Sequence, residues 1–214
     1  MSGHYELTDE HDLETLCVGR PLMEVLTKTL EIKEQLHPWL PAGLTLLGGK
    51  TKSGKSTVAE QIAEEISENK KVLYLALEYN IRMAQGRFDR FTPNHQIRLV
   101  LEGEINRMGQ GGESELDALL TYYNPDLVIV DILAKIKRQN NGYYDAEYKA
   151  MTEIKELLDI HDVDCLVLTH SGKPNSNDSD DPFDKIIGST ALQGVPDNLM
   201  VLEQSKGQTK LHTK

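Results

Sequence analysis

Residues 44–58 read Leu-Thr-Leu-Leu-Gly-Gly-Lys-Thr-Lys-Ser-Gly-Lys-Ser-Thr-Val, and no other stretch constrains the fold as strongly. Gly49, four intervening residues and then Gly54-Lys55-Ser56 complete a phosphate-binding P-loop. An apolar strand-like run (Leu44, Leu46, Leu47) enters it, and a helical pattern from Ser56 to Ser67 leaves it. Glycines let the backbone curl until successive N–H groups face phosphate oxygens, and the helix start adds partial positive charge. Gly49, Lys50, Thr51, Lys52, Ser53, Gly54, Lys55, Ser56 and Thr57 are therefore the expected nucleotide-binding residues. Lys55 would reach the terminal phosphates of ATP, and the Ser56 hydroxyl would ligate Mg2+.

Strand-like runs recur at 71–78, 97–101, 126–132 and 164–170, with helix-like segments between most of them, including 113–123 and 144–161. Alternation of this kind predicts βαβ units, hence an α/β fold with a mostly parallel central sheet flanked by helices. Residues 198–204 and 208–213 flank Ser205-Lys206-Gly207 and predict a C-terminal β-hairpin at a sheet edge. Residues 1–37 read as an N-terminal arm and helix, with Pro21 opening the helix, and residues 38–214 as the nucleotide-binding domain. His37-Pro38-Trp39-Leu40-Pro41 reads as an extended connector into the P-loop strand.

No apolar run is long enough to span a bilayer, and the first residues lack a basic and apolar leader. Only Cys17 and Cys165 occur, so a reducing, cytoplasmic setting is expected, with Cys165 as a small core hydrophobe. The net charge of −11 opposes nucleic-acid binding unless positive charge is gathered locally.

Two carboxylates end apolar strands, where a parallel sheet presents its ligand crevice. Asp131 closes Leu-Val-Ile-Val-Asp and is the expected metal carboxylate, the alternative being a cap for the next helix. Glu78 closes Val-Leu-Tyr-Leu-Ala-Leu-Glu, where it would activate a water as general base or else cap a helix. A GTPase should carry Asn-Lys-x-Asp, which is absent. The AAA+ kind usually sets its catalytic Glu directly after the metal Asp, but Ile132 follows Asp131. A carboxylate on the strand after the P-loop helix is the RecA-like arrangement.

Around the P-loop, Pro41-Ala42-Gly43-Leu44-Thr45-Leu46-Leu47-Gly48-Gly49 leads the motif. Leu75-Ala76-Leu77-Glu78, Val130-Asp131-Ile132-Leu133-Ala134-Lys135-Ile136 and Asp145-Ala146-Glu147-Tyr148 follow in order. Leu168-Thr169-His170 with Lys173, and Asp181-Pro182-Phe183-Asp184-Lys185-Ile186-Ile187-Gly188-Ser189, complete the series. Together these motifs resemble the hexameric plasmid replicative helicase family over about residues 38–212. The resemblance implies a RecA-like fold, ATP hydrolysis with Mg2+, and a homo-oligomeric, hexameric ring with nucleotide sites shared between subunits. It further implies that His170 senses the terminal phosphate or the attacking water; a strand-end polar residue satisfying loop backbone is the alternative. The family usually places an arginine in the C-terminal hairpin to reach a neighbour's site, whereas this chain has Lys206 and no later arginine.

Lys135, Lys137 and Arg138, followed by Tyr143 and Tyr144, suit single-stranded DNA through phosphate attraction and base stacking, with Lys173 on a second loop. A solvated loop whose tyrosines pack on the next helix explains them equally well. The second loop also carries Asp178, Asp180, Asp181 and Asp184, which would repel DNA. Arg82, Arg87 and Arg90 form another possible positive face, a solvated helix or a subunit contact. Two functions follow: a helicase-like ATPase in replication or recombination, or a nucleotide-gated assembly or binding module with weak turnover.

Overall fold

The computed structural model describes residues 33–92, 95–138, 143–170, 181–183, 190–205 and 208–214. The helix expected from Pro21, Cys17, Lys173 and Lys206 lie outside the described residues. Residues Glu34–Lys214 form one compact unit.

In chain order the elements are β1 (Leu44–Gly49), α1 (Lys55–Ser67), β2 (Val72–Ala76), α2 (Ile81–Arg87), β3 (Ile97–Leu101), α3 (Gly112–Tyr123) and β4 (Leu127–Asp131). They continue with α4 (Leu133–Ile136), α5 (Tyr143–His161), β5 (Asp164–His170), α6 (Thr190–Gln193), β6 (Asn198–Ser205) and β7 (Gln208–Thr213). The strands make one seven-stranded sheet in the order β3-β2-β4-β5-β1-β6-β7. Every neighbouring pair is parallel except β6 and β7, which run antiparallel as the predicted hairpin.

Period-two geometry divides each central strand between two apolar layers. Leu73, Leu75, Val128, Val130, Cys165 and Val167 face one side, with Leu116 and Leu120 of α3 and Ile154 and Leu158 of α5. Val72, Tyr74, Ile129, Leu166 and Leu168 face the other, covered by Ala59, Ile62, Ala63 and Ile66 of α1. Each leucine or isoleucine so buried contributes about 2 kcal/mol, so covering both faces is what makes a near-continuous apolar strand stable. The Cys165 thiol is fully buried, and that burial pushes its pKa far up, as befits a core residue. Helices on both faces of a mostly parallel sheet are what the α/β alternation predicts, and with the antiparallel edge hairpin they agree with the RecA-like P-loop architecture that the resemblance implies.

Two local readings are corrected. The strand expected over 71–78 ends at Ala76, because its neighbours β4 and β3 end in register with it, Asp131 and Leu101 standing opposite Ala76. Leu77 N makes a last bond across to the Asp131 carbonyl at 2.8 Å, and the chain then turns, with Tyr79 N donating to the Ala76 carbonyl at 3.0 Å. The connector at 37–41 is a tight turn rather than an extended link. Leu40 N donates to the His37 carbonyl at 2.9 Å, and Pro38 supplies the fixed φ that a first turn position favours.

The sheet order matters more than any single strand. β5 inserts between β1 and β4, so the carboxyl ends of β1, β5 and β4 lie side by side. Gly49 stands opposite His170, and Ala76 opposite Asp131. The chain reverses its direction of travel across the sheet here, which is where parallel sheets open a ligand crevice.

Candidate functional site

The loop from Gly49 to Lys55 wraps so closely that a side chain would not fit at its first glycine. A Cβ on Gly49 would sit 2.7 Å from Ser53 Oγ and 3.0 Å from the Leu202 carbonyl oxygen. Gly54 holds φ +96°, in the left-handed region, and leads into α1 with no side-chain cap. The first turn of α1 contains no acidic residue, so no carboxylate of that turn offsets its N–H groups. Ser53 Oγ is buried and has no hydrogen-bond partner among the described residues. An orphan of that kind costs about 1–3 kcal/mol unless something fills the loop. A phosphate oxygen supplies the missing acceptor, so the loop fits a nucleoside polyphosphate.

Lys55 lies across this loop with only 5% of its surface exposed. Its ammonium donates to the carbonyls of Gly49 (2.8 Å) and Lys50 (2.9 Å). Burial lowers its pKa, while the carboxylates of Asp131 and then Glu78 act in the opposite direction. His170 Nδ1 stands 3.4 Å from the same ammonium. Its pKa is lowered by burial first and by Lys55 second, with Glu78 and Asp131 opposing. Four residues from four segments therefore share one electrostatic site: Lys55, Glu78, Asp131 and His170.

Asp131 is buried at the end of β4, and its Oδ2 accepts from Tyr74 Oη at 3.1 Å and Tyr79 Oη at 3.4 Å. The described residues give its Oδ1 no hydrogen bond. Among them no group of three or more His, Cys, Asp or Glu forms a ready metal cage. One carboxylate oxygen and the Ser56 hydroxyl beside a phosphate loop suit Mg2+, which takes few protein ligands and completes its shell with phosphate and water. Glu78 is exposed in the turn between β2 and α2, and α2 starts at an Asn80 cap whose side chain accepts from Met83 N at 3.0 Å. A carboxylate so placed is open to a water.

Lys50, Thr51, Lys52 and Thr57 are exposed along the loop and the start of α1. The DNA candidates are differently engaged. Lys135 pairs with Glu102 at 2.8 Å, Lys137 with Glu147 at 3.1 Å, and Arg138 with Glu113 and Glu153. Tyr143 and Tyr144 fall in the first turn of α5. Of Arg82, Arg87 and Arg90, read above as a possible positive face or else a solvated helix or subunit contact, two are paired within the chain. Arg87 and Arg90 turn back onto Glu60 and Glu64 of α1, since opposite charges on packed helices attract more strongly than like charges can align.

Sequence reasoning missed the buried network behind the metal carboxylate. Glu60 is 2% exposed and accepts from Tyr79 Oη at 3.0 Å and Arg87 Nε at 2.7 Å. Burial chiefly, and the nearby Asp131 and Glu60 carboxylates next, push the Tyr79 phenol far up, while the Ser56 hydroxyl pulls the other way. One signal was available: Glu60 lies four residues after Ser56, one helical turn on and on the same face.

A family model described as "AAA domain" matches residues 24–176, about seven-tenths of the chain. No curated protein matches it. Together with a P-loop at a RecA-like switch point, the match over most of its length means that the chain belongs to the AAA domain family of P-loop ATPases.

Proposed function

We propose that this protein is a Mg2+-dependent ATP hydrolase, built as a helicase-like ring motor acting on single-stranded DNA in replication or recombination. The observation that carries the hydrolytic reading is the meeting of Lys55, Asp131, Glu78 and His170 around the P-loop. Glu78, open to solvent, takes the proton of the attacking water onto a carboxylate oxygen. Lys55 and the N–H groups of the loop hold the charge that develops on the terminal phosphate. Bound Mg2+ would supply further charge neutralisation there, held by Ser56 and Asp131. His170 donates to the phosphate or the water. The DNA-facing and ring-forming parts of the reading rest on the helicase-like motif series and its Lys206 turn.

A second reading is favoured by one observation. Lys135, Lys137 and Arg138 each pair with a carboxylate, which lowers the charge they can offer to a DNA backbone. A nucleotide-gated assembly or binding module with weak turnover has no need of that charge. Steady-state ATP hydrolysis with and without single-stranded DNA, together with native mass measurement, separates the two. Stimulation by DNA in a ring-sized species supports the motor, and nucleotide-dependent assembly with neither turnover nor stimulation supports the module.

A further inference from the structure

The pairing of β2 with β4 and the period-two alternation of strands put Tyr74 and Asp131 on one face of the sheet. Asp131 stands opposite Ala76, and Tyr74 stands opposite Ile129, two residues back on each strand. The methyl of Ala76 is too short to engage the carboxylate. The phenol of Tyr74 reaches it on the diagonal instead, with Oη 3.1 Å from Asp131 Oδ2. An ionised carboxylate only accepts, so Tyr74 donates. Its ring is fully buried and meets Phe88 edge-on, with centroids 5.3 Å apart, which holds the hydroxyl in place. Tyr79 is committed elsewhere. Its Oη lies 3.4 Å from the same Oδ2 but 3.0 Å from Glu60 Oε1, and its one proton goes to the nearer acceptor.

We propose that Tyr74 is a positioning residue for Asp131, whose donated hydrogen bond holds one carboxylate oxygen against the sheet and leaves the other for Mg2+. The torsion that turns an aspartate carboxylate is broad, so an unheld group samples many orientations. One hydrogen bond from a packed ring removes that freedom before a nucleotide arrives. Oδ1, which has no hydrogen bond among the described residues, is then the oxygen available to the cation. Outer partners of this kind typically change metal affinity by about 10- to 100-fold when removed. The inference rests on the proposed nucleotide and Mg2+ reading of the same site.

The test compares the affinity of the full chain for a non-hydrolysable ATP analogue with Mg2+ and with excess chelator. The quantity of interest is the ratio of the two. Tyr74→Phe, which keeps the ring and loses the donor, should lower that ratio about 10-fold or more while chelated binding stays within about twofold of wild type. Tyr79→Phe should lower it less, because that phenol serves Glu60. In an Asp131→Ala background the ratio is already low, and adding Tyr74→Phe should leave it unchanged, since the group to be positioned is gone. An unchanged or raised ratio in Tyr74→Phe, beside a lowered one in Asp131→Ala, would overturn the inference alone. An equal loss with and without Mg2+, or a further fall in the Asp131→Ala background, would likewise leave Tyr74 as packing. A wild-type ratio in Asp131→Ala would overturn the metal role of Asp131, and wild-type protein that binds the analogue under neither condition would overturn the nucleotide reading; each takes this inference with it.

Discussion

The ammonium of Lys55 lies 3.4 Å from Nδ1 of His170, bringing together two residues 115 positions apart in the chain. Lysine can only donate, so Nδ1 is the unprotonated nitrogen of a neutral ring, and Nε2 carries the hydrogen. A neutral histidine with an N–H on Nε2 beside the phosphate loop is a hydrogen-bond donor that adds no charge. This polarity suits a residue reporting on a terminal phosphate. It also makes a pH prediction.

Burial and Lys55 hold the His170 pKa below its ordinary value of 6.5. Above that value the ring is neutral folded or unfolded, and it contributes no pH dependence. As pH falls below it, the unfolded chain takes up a proton that the folded chain resists, so stability declines toward the lowered folded value. His170→Gln removes that decline. In nucleotide-free protein, urea midpoints of wild type and variant should differ by the same amount at about pH 7.5 and above, with the variant gaining on wild type by about pH 5.5. Parallel pH profiles would show that His170 is not held neutral.

Lys55→Ala removes the buried cation that lies across the phosphate loop. Hydrolysis should fall by about 100-fold or more, with nucleotide affinity reduced as well. Turnover like that of wild type would remove the P-loop assignment.

Glu78→Gln and Asp131→Asn should separate the two carboxylate roles. The first keeps binding of ATP with Mg2+ but lowers kcat by about 100-fold, because an amide cannot accept the proton of the water. The second weakens Mg2+-dependent binding and catalysis together. Normal turnover in Glu78→Gln would mean that another group is the base.

Arg87→Gln leaves the buried Glu60 without its cation. Losing one partner of a buried pair costs about 3–5 kcal/mol, and the partial exposure of Arg87 puts this pair at the low end, about 3 kcal/mol. The readout is the urea midpoint at unchanged slope. A loss below about 0.5 kcal/mol would show that Glu60 finds other compensation.

Lys206 tests whether the site is shared. If it acts in trans, hydrolysis should rise more than linearly with protein concentration, and Lys206→Ala should lower kcat while sparing assembly. Lys206→Arg restores a planar fork able to bridge phosphate oxygens and should be faster than wild type. Linear activity down to monomeric dilution, with both variants like wild type, would refute a shared site.

The P-loop, the strand–helix alternation and the edge hairpin were readable from the chain because each is a local pattern. Glycine spacing, apolar period and turn residues act over a few neighbours and need no knowledge of what lies across the sheet. Asp131 and Glu78 could be singled out for the same reason, as charges interrupting apolar runs. What no local pattern contains is strand order. Only the insertion of β5 between β1 and β4 brings His170 to Lys55, and only the matched ends of β2, β3 and β4 release Glu78 into a turn. The network of Tyr79, Glu60 and Arg87 was hidden for a related reason. A glutamate on an amphipathic helix looks solvated until packing removes its water, and its partners, Tyr79 in the turn after β2 and Arg87 on α2, are decided by which helix covers which face of the sheet.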